Sequence, residues 1–178
     1  AAVWHQRARD VKQELYLSVN VSGYELQQIA YGNAMITMCT DFQYRCQDLR
    51  VEVLESEFDL GGAAARGNIE QLRREKIRVM VDDFGSGASN VHRIIELTPD
   101  ALKLDLSLIA DIETNSDRRR FLCSIAAVAE RAGIELVAEG IERESQLRIL
   151  LDEGFQFGQG FLFARPVPAM EVDKLLQY

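Results

Sequence analysis

Histidine is scarce in this chain. His5 and His92 are the only two, and neither has a second ligand at metal spacing, which excludes a histidine-rich zinc centre. Cysteine is nearly as rare. Cys39, Cys46 and Cys123 are odd in number and make no CxxC pair, so they read as reduced thiols of a cytoplasmic protein and not as a disulfide framework. No apolar run approaches the roughly 20 residues of a membrane helix, and no signal peptide is visible. Basic residues are too few to offset the acidic ones. Twenty Lys and Arg against 28 Asp and Glu leave a formal net charge of -8 with no basic run, which argues against DNA, RNA or an anionic membrane surface as partner. A phosphate-bearing ligand remains accessible to such a chain if metal ions mediate the contact.

What is present is a core and an alternation. The 178 residues, 47% hydrophobic and 27% charged, suit one soluble domain. Short β-rich runs lie at 14–22, 48–56, 76–84, 100–107, 134–140 and 154–163. Between them are stretches of helical spacing at 22–42, 64–76, 90–99, 118–133 and 142–154, the last two closing on a glycine. The first eleven residues also read as helix. Regular strand–helix alternation predicts parallel βαβ units.

Nearly every predicted strand ends in carboxylate or amide groups: Asn20, Glu52 and Glu55, Asp82 and Asp83, Lys103 and Asp105, Glu139, Gln159. An open sheet collects such groups only at its switch point, whereas a (β/α)8 barrel rings one mouth with all of its strand ends. The pattern therefore favours a barrel. Six strands are visible, so two are expected to precede residue 1.

Five carboxylates around one mouth, Glu52, Asp82, Asp83, Asp105 and Glu139, repel one another without cations. Oxygen ligands with no His or Cys suit Mg2+ or Mn2+. Adjacent side chains on a strand point in different directions, so Asp82 and Asp83 can each serve one of two ions, and two metals about 3.5–4 Å apart are a recurrent device for phosphoryl displacement. The period of two places Lys103 and Asp105 on one face, where a lysine can neutralise charge developing on phosphorus. Each signal has a plainer reading by itself. Glu52 alone is an exposed strand residue, Asp82-Asp83 shortly before Gly85 a turn, Lys103 with Asp105 a structural ion pair, and Gln159 turn polarity. The coincidence of six strand ends carries the argument.

Taken in order, the motifs resemble those of the EAL-domain cyclic di-GMP phosphodiesterases. "SVNVS" (18–22) is similar to the family's VN(L/V)S, "VEVLES" (51–56) to LEITES, and "DDFGSG" (82–87) to DDFGTG. "KLD" (103–105) is similar to KID, "AEGIE" (138–142) to AEGVE, and "QGFLFARPVP" (159–168) to the family's closing motif. The name-giving Glu-Ala-Leu motif is absent.

The resemblance implies an α/β fold, a TIM-like (β/α)8 barrel of EAL type with one antiparallel strand. It implies that residues 1–178 are one EAL domain whose first two strands are missing. The implied activity is hydrolysis of cyclic di-GMP to linear pGpG with Mg2+ or Mn2+, inhibited by Ca2+. Asn20, Glu52 and Asp82 would hold one metal. Asp82, Asp83 and Glu139 would hold or border the second, with Asp105 nearby. Lys103 would contact the attacking water, and Lys103 and Glu139 would be the catalytic pair. Gln159, Arg165 and Pro166 would meet substrate. Glu55 would anchor the loop after Asp83, with Glu142 in support. Ala88, Asn90 and Leu54 depart from the usual Tyr, Ser and Thr, and bear on that loop more than on the ligands. A homodimer through "NVHRIIEL" (90–97) and a sensory or GGDEF domain upstream are also implied.

Two other functions compete. An inactive EAL-like receptor would bind cyclic di-GMP without cleaving it, but such relatives lose ligands that are kept here. A protein-interaction module rests only on the absent first glutamate and the altered loop.

Overall fold

The computed structural model describes residues 15–57, 62–87 and 98–175. The sequence-predicted helix at 1–11, residues 90–97 of that predicted at 90–99, and the positions Ala88, Asn90 and His92 lie outside these. The described residues divide into two compact units, one of 15–52, 62–79 and 166–175, the other of 53–57, 80–87 and 98–165. All strand pairings given below are parallel, which makes the fold α/β as the alternation predicted.

In the first unit, β1 (Leu17–Asn20) pairs with the opening residues of β2 (Leu49–Leu54), with Asn20 level with Glu52. The predicted helix over 22–42 is two helices, α1 (Gly23–Leu26) and α2 (Tyr31–Asp41). Ser22 and Glu25 form a reciprocal capping box at the start of α1. The break after Leu26 has a cause 42 residues away, on α3 (Ala63–Arg74). Asn68, 3% exposed, donates through Nδ2 to the carbonyls of Leu26 (2.8 Å) and Gln28 (2.7 Å), and accepts from Gly32 N–H at 3.1 Å. Asn68→Ala strands three main-chain groups and is expected to lower stability by about 2–3 kcal/mol, read by denaturant titration. Asn68→Asp, which keeps the acceptor but no donor, should recover little of it.

In the second unit, β3 (Arg78–Phe84) from Met80 onward, β4 (Ala101–Leu104), β5 (Glu135–Ala138) and β6 (Phe157–Gly158) pair in chain order. Met80, Ala101 and Val137 stack across the middle strands as a buried cluster. α4 (Leu106–Ile109) follows β4, α5 (Ser116–Ala132) precedes β5, and α6 (Glu144–Asp152) precedes β6. Asn115 caps α5 by accepting from Arg118 N–H, and Gly133 ends it in the left-handed conformation at φ +69°. Gln146, 1% exposed, ties α6 inward by donating to the Ile109 carbonyl. A short C-terminal helix, α7 (Val172–Leu175), belongs to the first unit.

The last predicted strand, 154–163, shrinks to the two residues of β6. Beyond it the chain turns tightly around Ile141: Ile141 N–H donates to the Gln159 carbonyl, and Leu162 N–H to the Ile141 carbonyl. No described helix is long and apolar enough to cross a membrane.

Candidate metal centre

Parallel pairing sends every strand of the second unit toward the same end. Main-chain bonds continue past the strands: Asp105 N–H to Phe84 O (3.0 Å), Glu139 N–H to Leu104 O (3.1 Å) and Gln159 N–H to Ala138 O (2.9 Å). These bonds bring the polar strand ends together.

The neighbouring aspartates do not alternate as a regular strand would have them. From Val81 to Phe84 the chain advances three residues while its partner advances two, Leu102 to Leu104. The extra residue is a β-bulge, and within it Asp83 adopts φ +54°. A left-handed aspartate is strained less than most residues because its short side chain tolerates that region. The bulge lets Asp82 and Asp83 turn toward one place, where one oxygen each of Asp82, Asp83 and Glu139 lie within 4.8 Å of one another.

Lys103, 6% exposed on a strand buried throughout its length, reaches between two of these groups. Its Nζ lies 2.8 Å from Asp82 Oδ1 and 2.7 Å from Glu139 Oε1. Gln159 Nε2 donates to the same Glu139 oxygen at 2.7 Å. Asp83 N–H donates to Asp82 Oδ1. Burial, then the Asp82 and Asp105 charges, push the Asp83 carboxyl above its usual range, with Lys103 opposing. Three carboxylates against one ammonium leave a formal excess of negative charge. An all-oxygen donor set with that excess fits a divalent cation of the Mg2+ or Mn2+ kind.

The other sequence-predicted residues are placed as follows. Asp105 has left β4 and caps α4, its Oδ1 accepting from Ser107 N–H at 2.9 Å, and stands outside the three-carboxylate group. Glu55 Oε2 accepts from Gly85 N–H at 3.2 Å, at the start of the loop after Asp83. Glu142 has an exposed side chain, and its N–H is bound by Gln146 Oε1. Arg165 lies over the ring of Phe161, 4.5 Å from its centroid, and both are exposed. Asn20, Glu52 and Pro166 belong to the first unit. There Glu52 is buried at 8% exposure, and its carbonyl accepts from Val21 N–H at 2.8 Å.

Gly160 was not singled out from the sequence, yet the turn after Gln159 depends on it. A Cβ there would overlap the Ile141 main chain, with the carbonyl carbon at 2.7 Å. Gly160→Ala is expected to cost about 2–3 kcal/mol through this overlap. Because it displaces Gln159 from Glu139, it should also weaken metal binding in a Mn2+ titration.

Parallel strands of the second unit thus gather three carboxylates and a buried lysine at one end of the sheet. The chain belongs to the EAL domain family, whose model matches residues 1–166. It is 30% identical over 156 residues to the cyclic di-GMP phosphodiesterase RocR of Pseudomonas aeruginosa, covering 88% of this chain and 40% of RocR. The EAL enzyme Bd1971 in its cAMP- and cyclic-di-GMP-bound form superposes with a TM-score of 0.90 at 27% identity, over 99% of this chain and 48% of that one. Klebsiella pneumoniae BlrP1, solved as a manganese and cyclic-di-GMP complex, gives 0.80 at 26% identity, over 93% and 43%. The chain spans between 21% and 40% of the length of the first curated relatives it matches.

Proposed function

We propose that this EAL domain hydrolyses cyclic di-GMP to linear pGpG with Mg2+ or Mn2+. The observation that carries the reading is the buried Lys103 bridging Asp82 and Glu139, with Asp83 turned by the bulge to complete a three-carboxylate group. Asp82, Asp83 and Glu139 hold metal, and family resemblance adds Asn20, Glu52 and Asp105 to a two-metal set. Bound there, such ions would supply positive charge to the diester phosphate and make a coordinated water more acidic. Lys103 orients the attacking water and counters charge on phosphorus, and Gln159 fixes Glu139 for its part. Arg165, with Pro166, meets the substrate. Glu55 anchors the loop through Gly85, and Glu142 supports it. The fold is read as the TIM-like (β/α)8 barrel of EAL type with one antiparallel strand, two strands more than the described residues hold. Pairing of two copies through residues 90–97, an upstream sensory or GGDEF domain and a cytoplasmic location complete the proposal.

The test is turnover of cyclic di-GMP by the complete domain with Mn2+, separated by chromatography. Linear pGpG is the expected product. Intact cyclic di-GMP with tight binding would make the domain a receptor, and intact cyclic di-GMP without binding would remove the nucleotide site.

A further inference from the structure

The short helix α4 lies against both loops that carry the three carboxylates. Gly85, two residues after Asp83, takes φ +94° and faces Leu108. A Cβ at residue 85 would sit 2.4 Å from Leu108 Cδ1, 3.1 Å from Cγ and 3.4 Å from Cδ2, so the whole branched end of that half-buried side chain covers the glycine. Gly140, the residue after Glu139, takes φ +69° and faces Leu106; a Cβ there would lie 2.5 Å from Leu106 Cβ and 3.3 Å from its Cα. The helix is itself fixed. Asp105 caps its start, Ile109 at its end is 0% exposed, and the Ile109 carbonyl accepts from Gln146 Nε2 at 3.2 Å. Leu108 therefore presses on Gly85 from a helix anchored at both ends.

The turn that Leu108 covers sets the aim of Asp83. Phe84 is fixed by its pairing with Leu104, and its carbonyl accepts from Asp105 N–H at 3.0 Å. Ser86 N–H returns to the Asp83 carbonyl at 3.2 Å and closes residues 83–86 into one tight turn. Gly85 sits within that turn, its N–H held by Glu55 Oε2 at 3.2 Å and its Cα covered by Leu108. Asp83 at φ +54° has a left-handed backbone, which persists only where the surroundings fix it. We propose that Leu108 is a positioning residue of the metal centre: its branched end, packed on Gly85, keeps the 83–86 turn closed and the Asp83 carboxylate beside those of Asp82 and Glu139. This role rests on the reading of those three groups as metal ligands. With Leu108 truncated, the turn opens into the space left, and the three-carboxylate group is complete only in the fraction of molecules whose turn is closed. Apparent metal affinity falls by that fraction, while the chemical step at saturating metal is untouched.

The experiment uses the complete domain, with Mn2+ alone as the probe. Calorimetry on metal-stripped protein gives the Mn2+ affinity of the parent, Leu108→Ala, Leu108→Met and Leu150→Ala, beside melting curves in chelator. Leu108→Ala should weaken Mn2+ binding by about 10-fold, the scale of a lost support to a metal ligand. Leu108→Met conserves volume and should recover most of it. Leu150, 1% exposed on α6, controls for destabilisation: Leu150→Ala should melt lower and bind Mn2+ as the parent does. Cyclic di-GMP turnover by Leu108→Ala should return to the parental kcat as Mn2+ is raised. One readout needs no metal. Gly85→Ala drives a Cβ into Leu108 in the parent but not in Leu108→Ala, so in chelator it should cost fewer degrees of melting temperature in that background, where only the strain at φ +94° remains. Should Leu108→Ala fail to fold, Leu108→Val, which withdraws both Cδ methyls, carries the same comparisons. Parental Mn2+ affinity in Leu108→Ala, equal weakening in Leu150→Ala, or the same melting loss from Gly85→Ala in both backgrounds would each overturn the role of Leu108 and leave the metal centre standing. A parent that binds no Mn2+ would instead remove the metal centre, and with it anything for Leu108 to position.

Discussion

Asp82→Asn is expected to reduce Mn2+-dependent cleavage of cyclic di-GMP by at least about 100-fold, since groups that merely support a metal ligand already account for about 10–100-fold. The substitution keeps the size of the side chain and one carbonyl oxygen, so Asp83 N–H keeps an acceptor. What it removes is a charge from the three-carboxylate group and half of the counter-charge around Lys103, whose Nζ is 2.8 Å from Asp82 Oδ1. Folding should survive, because one repulsion against Asp83 disappears with the charge. The measurement is pGpG formation against Mn2+ concentration, beside a melting curve. A variant that melts normally and turns over at the parental rate would remove Asp82 from the metal site. Asp105→Asn is the informative companion. Asparagine caps a helix as well as aspartate does, so α4 is retained and any loss of turnover reads the Asp105 charge alone.

Asp82 and Asp83 were legible as strand-end chemistry because two carboxylates after a run of Val, Met and Val have no apolar purpose. Their joint aim was not legible. Alternation assigns neighbours on a strand to opposite faces, and only the pairing of Val81 with Leu102 and of Phe84 with Leu104 reveals the extra residue that turns Asp83 inward. Lys103 was read with Asp105 by the period of two. The strand stops at Leu104, which frees Asp105 to cap α4, while Lys103 finds Asp82 and Glu139 on neighbouring strands instead. Long-range bonds account for the rest. Gly67-Asn68 inside a helical pattern looks like a weak spot, yet Asn68 ends α1 by taking the Leu26 and Gln28 carbonyls. Phe157 onward alternates like a strand, and the close passage of Gly160 against Ile141 bends it away. Local pattern located the elements and their polar ends; contacts between distant segments decided where each element stops.

Lys103→Met carries the second large effect, and it separates the two jobs of the lysine. Methionine fills most of the same volume, so the change isolates the charge. Without the ammonium, the Asp82 and Glu139 carboxylates, each 13% exposed, are left beside Asp83 with no positive neighbour from Lys103. Removing one partner of a buried ion pair costs about 3–5 kcal/mol; partial exposure of the carboxylates puts this site near the lower figure. At about 2–4 °C per kcal/mol for a chain of this size, the melting temperature in chelator should fall by roughly 6–12 °C. Mn2+ replaces the missing charge, and an ion at 100 times its Kd returns about 2.7 kcal/mol. The melting temperature of the variant should therefore rise more steeply with Mn2+ than that of the parent. Turnover should stay down by about 100-fold even at saturating Mn2+, if Lys103 is the proposed donor to the reacting phosphate. A lysine that serves only as a structural counter-ion shares the first result and reverses the second: Mn2+ restores stability and activity returns with it.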